Sequence, residues 1–160
     1  MILMMLSLLT AIAYPVQSYQ ADLKNYQVKE YSWPLTRMPQ IIVCKSDKIN
    51  LQHVKDAKKF WNSQETKIKL QSISYTNNCT VDVPPGYILI TNRQKTITRS
   101  KEYGKETSFH IGNITLSSYI EINTDLPDHV VKMTIAHELG HALGFKHCLS
   151  CKKTDIMQIE

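Results

Sequence analysis

Eleven residues near the end of the chain, His137-Glu138-Leu139-Gly140-His141-Ala142-Leu143-Gly144-Phe145-Lys146-His147, leave the backbone few ways to run. On an α-helix, residues four apart differ by about 40° around the axis and about 6 Å along it. His137 and His141 therefore project from one face, where two neutral imidazoles can share one tetrahedral zinc. Glu138 falls beside that position but too far round the helix to ligate comfortably. Such a placement suits a carboxylate that takes a proton from water activated at the metal. Gly144 can take the left-handed conformation that stops a helix and turns the chain back. The turn lets His147 come round as a third ligand, and three nitrogens with one open position describe a catalytic zinc rather than a closed structural one.

This spacing matches His-Glu-x-x-His-x-x-Gly-x-x-His at all five defining positions, and the chain resembles the metzincin clan of zinc metallopeptidases. It is most similar to the small matrixin-like members, whose active-site helix reads much like Ala136–Phe145. The eleven-residue form is far more specific than a bare HExxH, because two further rare residues must be correctly spaced. The resemblance implies an α+β fold, a single zincin-like domain with a twisted mixed sheet and two main helices, the second followed by a methionine turn. It implies one catalytic Zn2+ and hydrolysis of peptide bonds, with Glu138 as the general base. Met157, in Asp155-Ile156-Met157, matches the methionine that underlies the three imidazoles as an apolar floor without ligating. An edge strand above the helix would align the substrate backbone as an added strand. By order, Thr107–Ile111 with the following Gly112-Asn113 is its equivalent.

The chain also departs from the clan. Cys148 follows the third histidine, as in archaemetzincins, but the Cys148-x-x-Cys151 spacing and the absence of a later cysteine make that match partial. Only Gln158, Ile159 and Glu160 follow Met157, where metzincins usually continue into a pocket wall and a C-terminal helix; the expectation is either a minimal catalytic domain or a truncated sequence. Residues 19–38 hold no cysteine that could block zinc, and no tyrosine stands just after the methionine.

The rest of the chain supplies context. Met1–Ala13 is apolar except for Ser7 and Thr10, too short for the roughly 20 residues that span a bilayer. Tyr14-Pro15 breaks it, and Val16-Gln17-Ser18 offers small residues for cleavage, so residues 1–18 read as a secretory signal peptide and 19–160 as the catalytic domain. The four cysteines suit an oxidising compartment. Three pairings are open; closeness in sequence favours Cys44–Cys79 with Cys148–Cys151, and a metal site is the rival use. Lys+Arg 19 against Asp+Glu 14 is only mildly basic, and no basic run interleaves with aromatics, which speaks against nucleic-acid binding. At 42% hydrophobic and 21% charged the chain is ordinarily globular.

Element by element, Tyr19–Met38 reads as a polar lead-in and Gln40–Cys44 as a buried strand. Asn50 can cap a helix from Leu51 to about Gln64, with Leu51, Val54, Ala57, Phe60 and Trp61 on its apolar face. Ile68, Leu70, Ile73 and Tyr75 alternate as a strand, Pro84-Pro85-Gly86 turns, and Tyr87–Ile90 is a second buried strand. Lys95–Glu106 reads as an exposed loop and Thr107–Ile111 and Tyr119–Ile122 as short strands. Thr124–Asp128 then opens the second helix, with Thr or Asp as cap and Pro127 in its first turn. His53 on the polar side of the first helix and His129 in the first turn of the second are given structural roles, whereas His110 in the edge strand is a candidate for a structural metal or substrate.

The function expected is a secreted (or periplasmic) zinc endopeptidase, monomeric, without a stable membrane anchor, acting on a peptide or protein. The alternatives are a secreted zinc-binding interaction module without catalysis, and an intracellular archaemetzincin-like protein whose cysteines hold a second zinc.

Overall fold

The computed structural model describes residues 19–45, 48–92 and 102–158. The leader read at residues 1–18 lies outside them, as do residues 95–101 of the basic loop and the last two residues.

Five strands form one sheet: β1 (Gln40–Cys44), β2 (Ile73–Thr76), β3 (Tyr87–Asn92), β4 (Gly104–Ile111) and β5 (Ile114–Ile122), in the order β2-β1-β3-β5-β4. The first four in that order run parallel, and β4 closes the edge antiparallel to β5. Among the described residues two α-helices, α1 (Leu51–Ser63) and α2 (Asp128–Ala142), accompany the sheet. The expected order of strands and helices and the mixed sheet are therefore present. Side-chain parity explains where the helices lie. Ile41, Val43, Ile88, Ile90, Ile120 and Ile122 join the main core with Val54, Trp61, Ile135 and Leu139 of the helices. The alternate residues Ile42, Cys44, Leu89 and Tyr119 form a smaller cluster with Val83 on the other face. Both faces being covered, β1 and β3 read as continuous apolar runs.

The Asn50 side chain accepts from the Gln52 N–H at 2.9 Å, capping α1 as expected. Trp61 is fully buried and its indole N–H donates to the Ala136 carbonyl at 2.7 Å, pinning α1 to the middle of α2. Helix α2 buries residues on most of its circumference, because it is sandwiched between α1 and strands β4 and β5. Cys44–Cys79 ties the end of β1 to the segment after β2, and Cys148–Cys151 closes the turn after His147. Among the described residues no helix is long and apolar enough to cross a membrane.

Several expectations need correction. The strand read from Ile68 begins only at Ile73; Ile68 and Leu70 are buried, but as irregular chain below α1, where Asn62 holds both polar groups of the Leu70 backbone. The basic loop does not extend to Glu106, since Gly104–Glu106 already pair with β5. Neither Thr124 nor an aspartate caps α2; Pro127 occupies the cap position and no side chain bonds there. His53 is buried, its Nε2 lying 3.2 Å from Asp128 Oδ2 where the two helices begin. Finally, Tyr19–Met38 is no mere lead-in. It runs back over the domain with Tyr26 and Trp33 buried, and the Trp33 indole N–H donates to the Ala142 carbonyl at 2.7 Å.

Candidate metal centre

Helix α2 brings His137 and His141 to one face, and the chain then reverses at Gly144, whose φ is +99°. The Gly144 N–H bonds to the His141 carbonyl at 3.0 Å and the Phe145 N–H to the Gly140 carbonyl at 3.0 Å, which closes the helix end. His147 returns so that its Nε2 lies 3.1 Å from His137 Nε2 and 3.0 Å from His141 Nε2. Replacing Gly144 by alanine forces a side chain into the left-handed region. A urea titration is expected to show a loss of about 1–2 kcal/mol; unchanged stability would show that the turn does not need this conformation.

The hydrogen bonds around the rings assign their chemistry. His137 Nδ1 lies 2.7 Å from the Ile156 carbonyl and His141 Nδ1 2.8 Å from the Phe145 carbonyl. A carbonyl can only accept, so each Nδ1 carries the proton and each Nε2 turns a lone pair inward. Burial lowers the pKa of all three imidazoles, that of His141 to about 3 with the charge of His137 adding to the effect. Neutral rings with converging lone pairs repel one another, and a shared cation is the chemical answer to that arrangement. The donor set fits zinc: three imidazole nitrogens, pre-oriented by backbone acceptors, with His147 exposed to solvent.

Glu138 is buried on the flank of this group. Strand β4 crosses close above it, so close that a Cβ on Gly104 would meet the Glu138 Oε1 at 2.9 Å and Thr134 Cγ2 at 2.6 Å. The backbone N–H of Glu106 favours the charged form of the Glu138 carboxylate. Burial first, and then the negative charge of Glu106, raise the Glu138 pKa to about 8, which Lys29 opposes. A divalent cation among the imidazoles opposes it further. Glu106 is itself a buried carboxylate, bonded to Lys29 Nζ at 2.7 Å, to Ser118 Oγ at 2.6 Å and to Ser108 Oγ.

Met157 is fully buried beneath α2, and a Cβ on Gly140 would collide with its Sδ and, at 2.6 Å, with the Trp61 ring. Gly140 is thus the point where the methionine and the tryptophan reach the helix backbone. The Met157 carbonyl accepts from the Cys148 N–H at 2.8 Å, linking this turn to the residue after His147. His110 is elsewhere: it stacks on Tyr31 at 4.2 Å and belongs to no metal-holding group among the described residues.

Sequence reasoning missed Lys29, Glu106, Tyr26 and Asp155. For the first three no local pattern could have found them, since their partners stand far away in the chain. Gly140 carried a usable signal, because a glycine inside a helical pattern commonly marks a close approach.

No protein-family model matches the chain, and no curated protein does. Among solved structures it is similar to high choriolytic enzyme 1 of the medaka fish Oryzias latipes, a hatching enzyme described as a zinc-protease, with 19% sequence identity and a TM-score of 0.37. The match covers 73% of this chain and 49% of that one, so the chain spans about half the length of that structure.

Proposed function

We propose that this chain is a zinc-dependent endopeptidase of metzincin type, with one Zn2+ held by His137, His141 and His147 and with Glu138 as general base. The observation that carries the reading is the convergence of three imidazoles, with the Nε2 atoms of His137 and His141 lying 3.1 and 3.0 Å from His147 Nε2 and both aimed by backbone carbonyls on Nδ1. When bound, zinc supplies Lewis acidity toward a scissile carbonyl and toward water. Glu138 accepts the proton of the attacking water and passes it to the leaving amine. Strand β4 ends the sheet, so its outer edge is the surface along which an extended peptide would add as a further strand. Met157 forms the apolar floor under the imidazoles.

Two disulfides accord with an oxidising, extracellular setting. They leave no free cysteine for a second zinc, which argues against the archaemetzincin-like alternative. We extend the proposal to a secreted monomer acting on peptides or proteins. The test is cleavage of a broad peptide library by zinc-loaded protein, read by mass spectrometry. Chelator-sensitive internal cuts are expected. Protein that binds one zinc and cuts nothing is an interaction module instead.

A further inference from the structure

Residues Tyr19–Trp33 are fastened to the surroundings of the imidazoles at several points, and Asp155 is the principal anchor. The Ile156 N–H donates to the Gln20 carbonyl at 2.8 Å. The Asp155 carboxylate, buried on the same turn, accepts three bonds: from the Asp22 N–H at 2.7 Å, from the Tyr26 hydroxyl at 2.5 Å and from the Met157 N–H at 2.8 Å. The Tyr26 pKa is pushed upward by burial and by Asp155, so its hydroxyl stays a donor. On the other side of the centre the same segment brackets the loop leading to His147. The Lys29 N–H donates to the Gly144 carbonyl at 2.7 Å and the Lys146 N–H to the Gln27 carbonyl at 2.8 Å.

A carboxylate bonded to the backbone two residues on fixes the intervening peptide. That peptide belongs to Ile156, whose carbonyl faces His137 Nδ1 at 2.7 Å. The direction of this carbonyl sets the ring plane of His137, and hence where its Nε2 points. We propose that Asp155, held by Tyr26 and Asp22, is a positioning residue of the metal centre, setting the turn from which the Ile156 carbonyl orients His137. The inference deepens the zinc-peptidase reading and rests on it.

The experiment uses the full chain and the variants Asp155→Asn and Tyr26→Phe. Zinc affinity is measured by competition with a chromophoric chelator, ligand geometry by the visible bands of the Co2+ form, and metal-free stability by thermal melting. Binding is read below the melting range of each variant. Asn62→Ala serves as the control, since it removes the two hydrogen bonds to Leu70 at the far end of α1. Asp155→Asn is expected to weaken zinc binding about 10- to 100-fold, as loss of an outer hydrogen-bond partner does elsewhere, and to alter the Co2+ spectrum. Tyr26→Phe should act in the same direction, by about threefold or more. Asn62→Ala should lower the melting temperature and leave both metal readouts at wild-type values. If the two test variants melt early but keep wild-type affinity and spectrum, Asp155 is a structural residue only and the proposal is overturned. If Asp155→Asn does not fold, Tyr26→Phe decides alone. A wild-type chain that binds no metal sinks the zinc reading itself, and this inference with it.

Discussion

Peptide hydrolysis by the Glu138→Ala variant is expected to fall by about 10²–10⁴-fold, the range general acid–base catalysis commonly contributes, while one zinc stays bound. The imidazoles keep their backbone acceptors at Ile156 and Phe145, neither of which involves the glutamate. The chain should fold normally, because the substitution removes a carboxylate that burial and Glu106 already hold in an unfavourable place. Glu138→Gln, which keeps the volume beneath Gly104, should be equally inactive and separates lost proton transfer from lost packing. The readouts are initial rates on a peptide cut by wild type and metal content by atomic absorption. Wild-type activity in either variant would refute the mechanism assigned to Glu138.

The second large effect is loss of the metal. His141→Ala should carry almost no zinc after dialysis, because His137 and His147 alone cannot complete a three-nitrogen set. The loss of affinity should exceed the roughly 10- to 100-fold that removing an outer hydrogen-bond partner produces. The substitution also deletes the ring bonded to the Phe145 carbonyl at 2.8 Å, so the reversal toward His147 loosens as well. Activity should vanish with the zinc, unlike the Glu138 variants, in which activity goes and zinc remains. One zinc per chain in dialysed His141→Ala protein would show that the ligand assignment is wrong.

The two variants together separate the holding of the metal from the movement of the proton. A non-catalytic module predicts the same zinc contents but no wild-type cleavage for Glu138→Ala to abolish.

Local patterns in the sequence determined much of this protein. Period-two and period-3.6 apolar spacing gave the order of strands and helices, and Asn50 and Gly144 marked where helices start and stop. The histidine spacing put three imidazoles within reach of one another because an i, i+4 pair and a glycine reversal are both short-range geometry. The tertiary structure alone decided what surrounds them. Lys29 meets Glu106 across 77 residues, and Tyr26 and Asp22 meet Asp155 across 129 and 133. Such pairs leave no periodic trace, since each residue looks locally like an ordinary exposed polar side chain. The same holds for Gly104, whose lack of a Cβ matters only because β4 passes over Glu138. It holds too for the Ile156 carbonyl, which any residue at that position would supply and only the folded turn can aim. Spacing along one helix is local, whereas the direction of a carbonyl and the burial of a carboxylate depend on which segments the fold lays side by side.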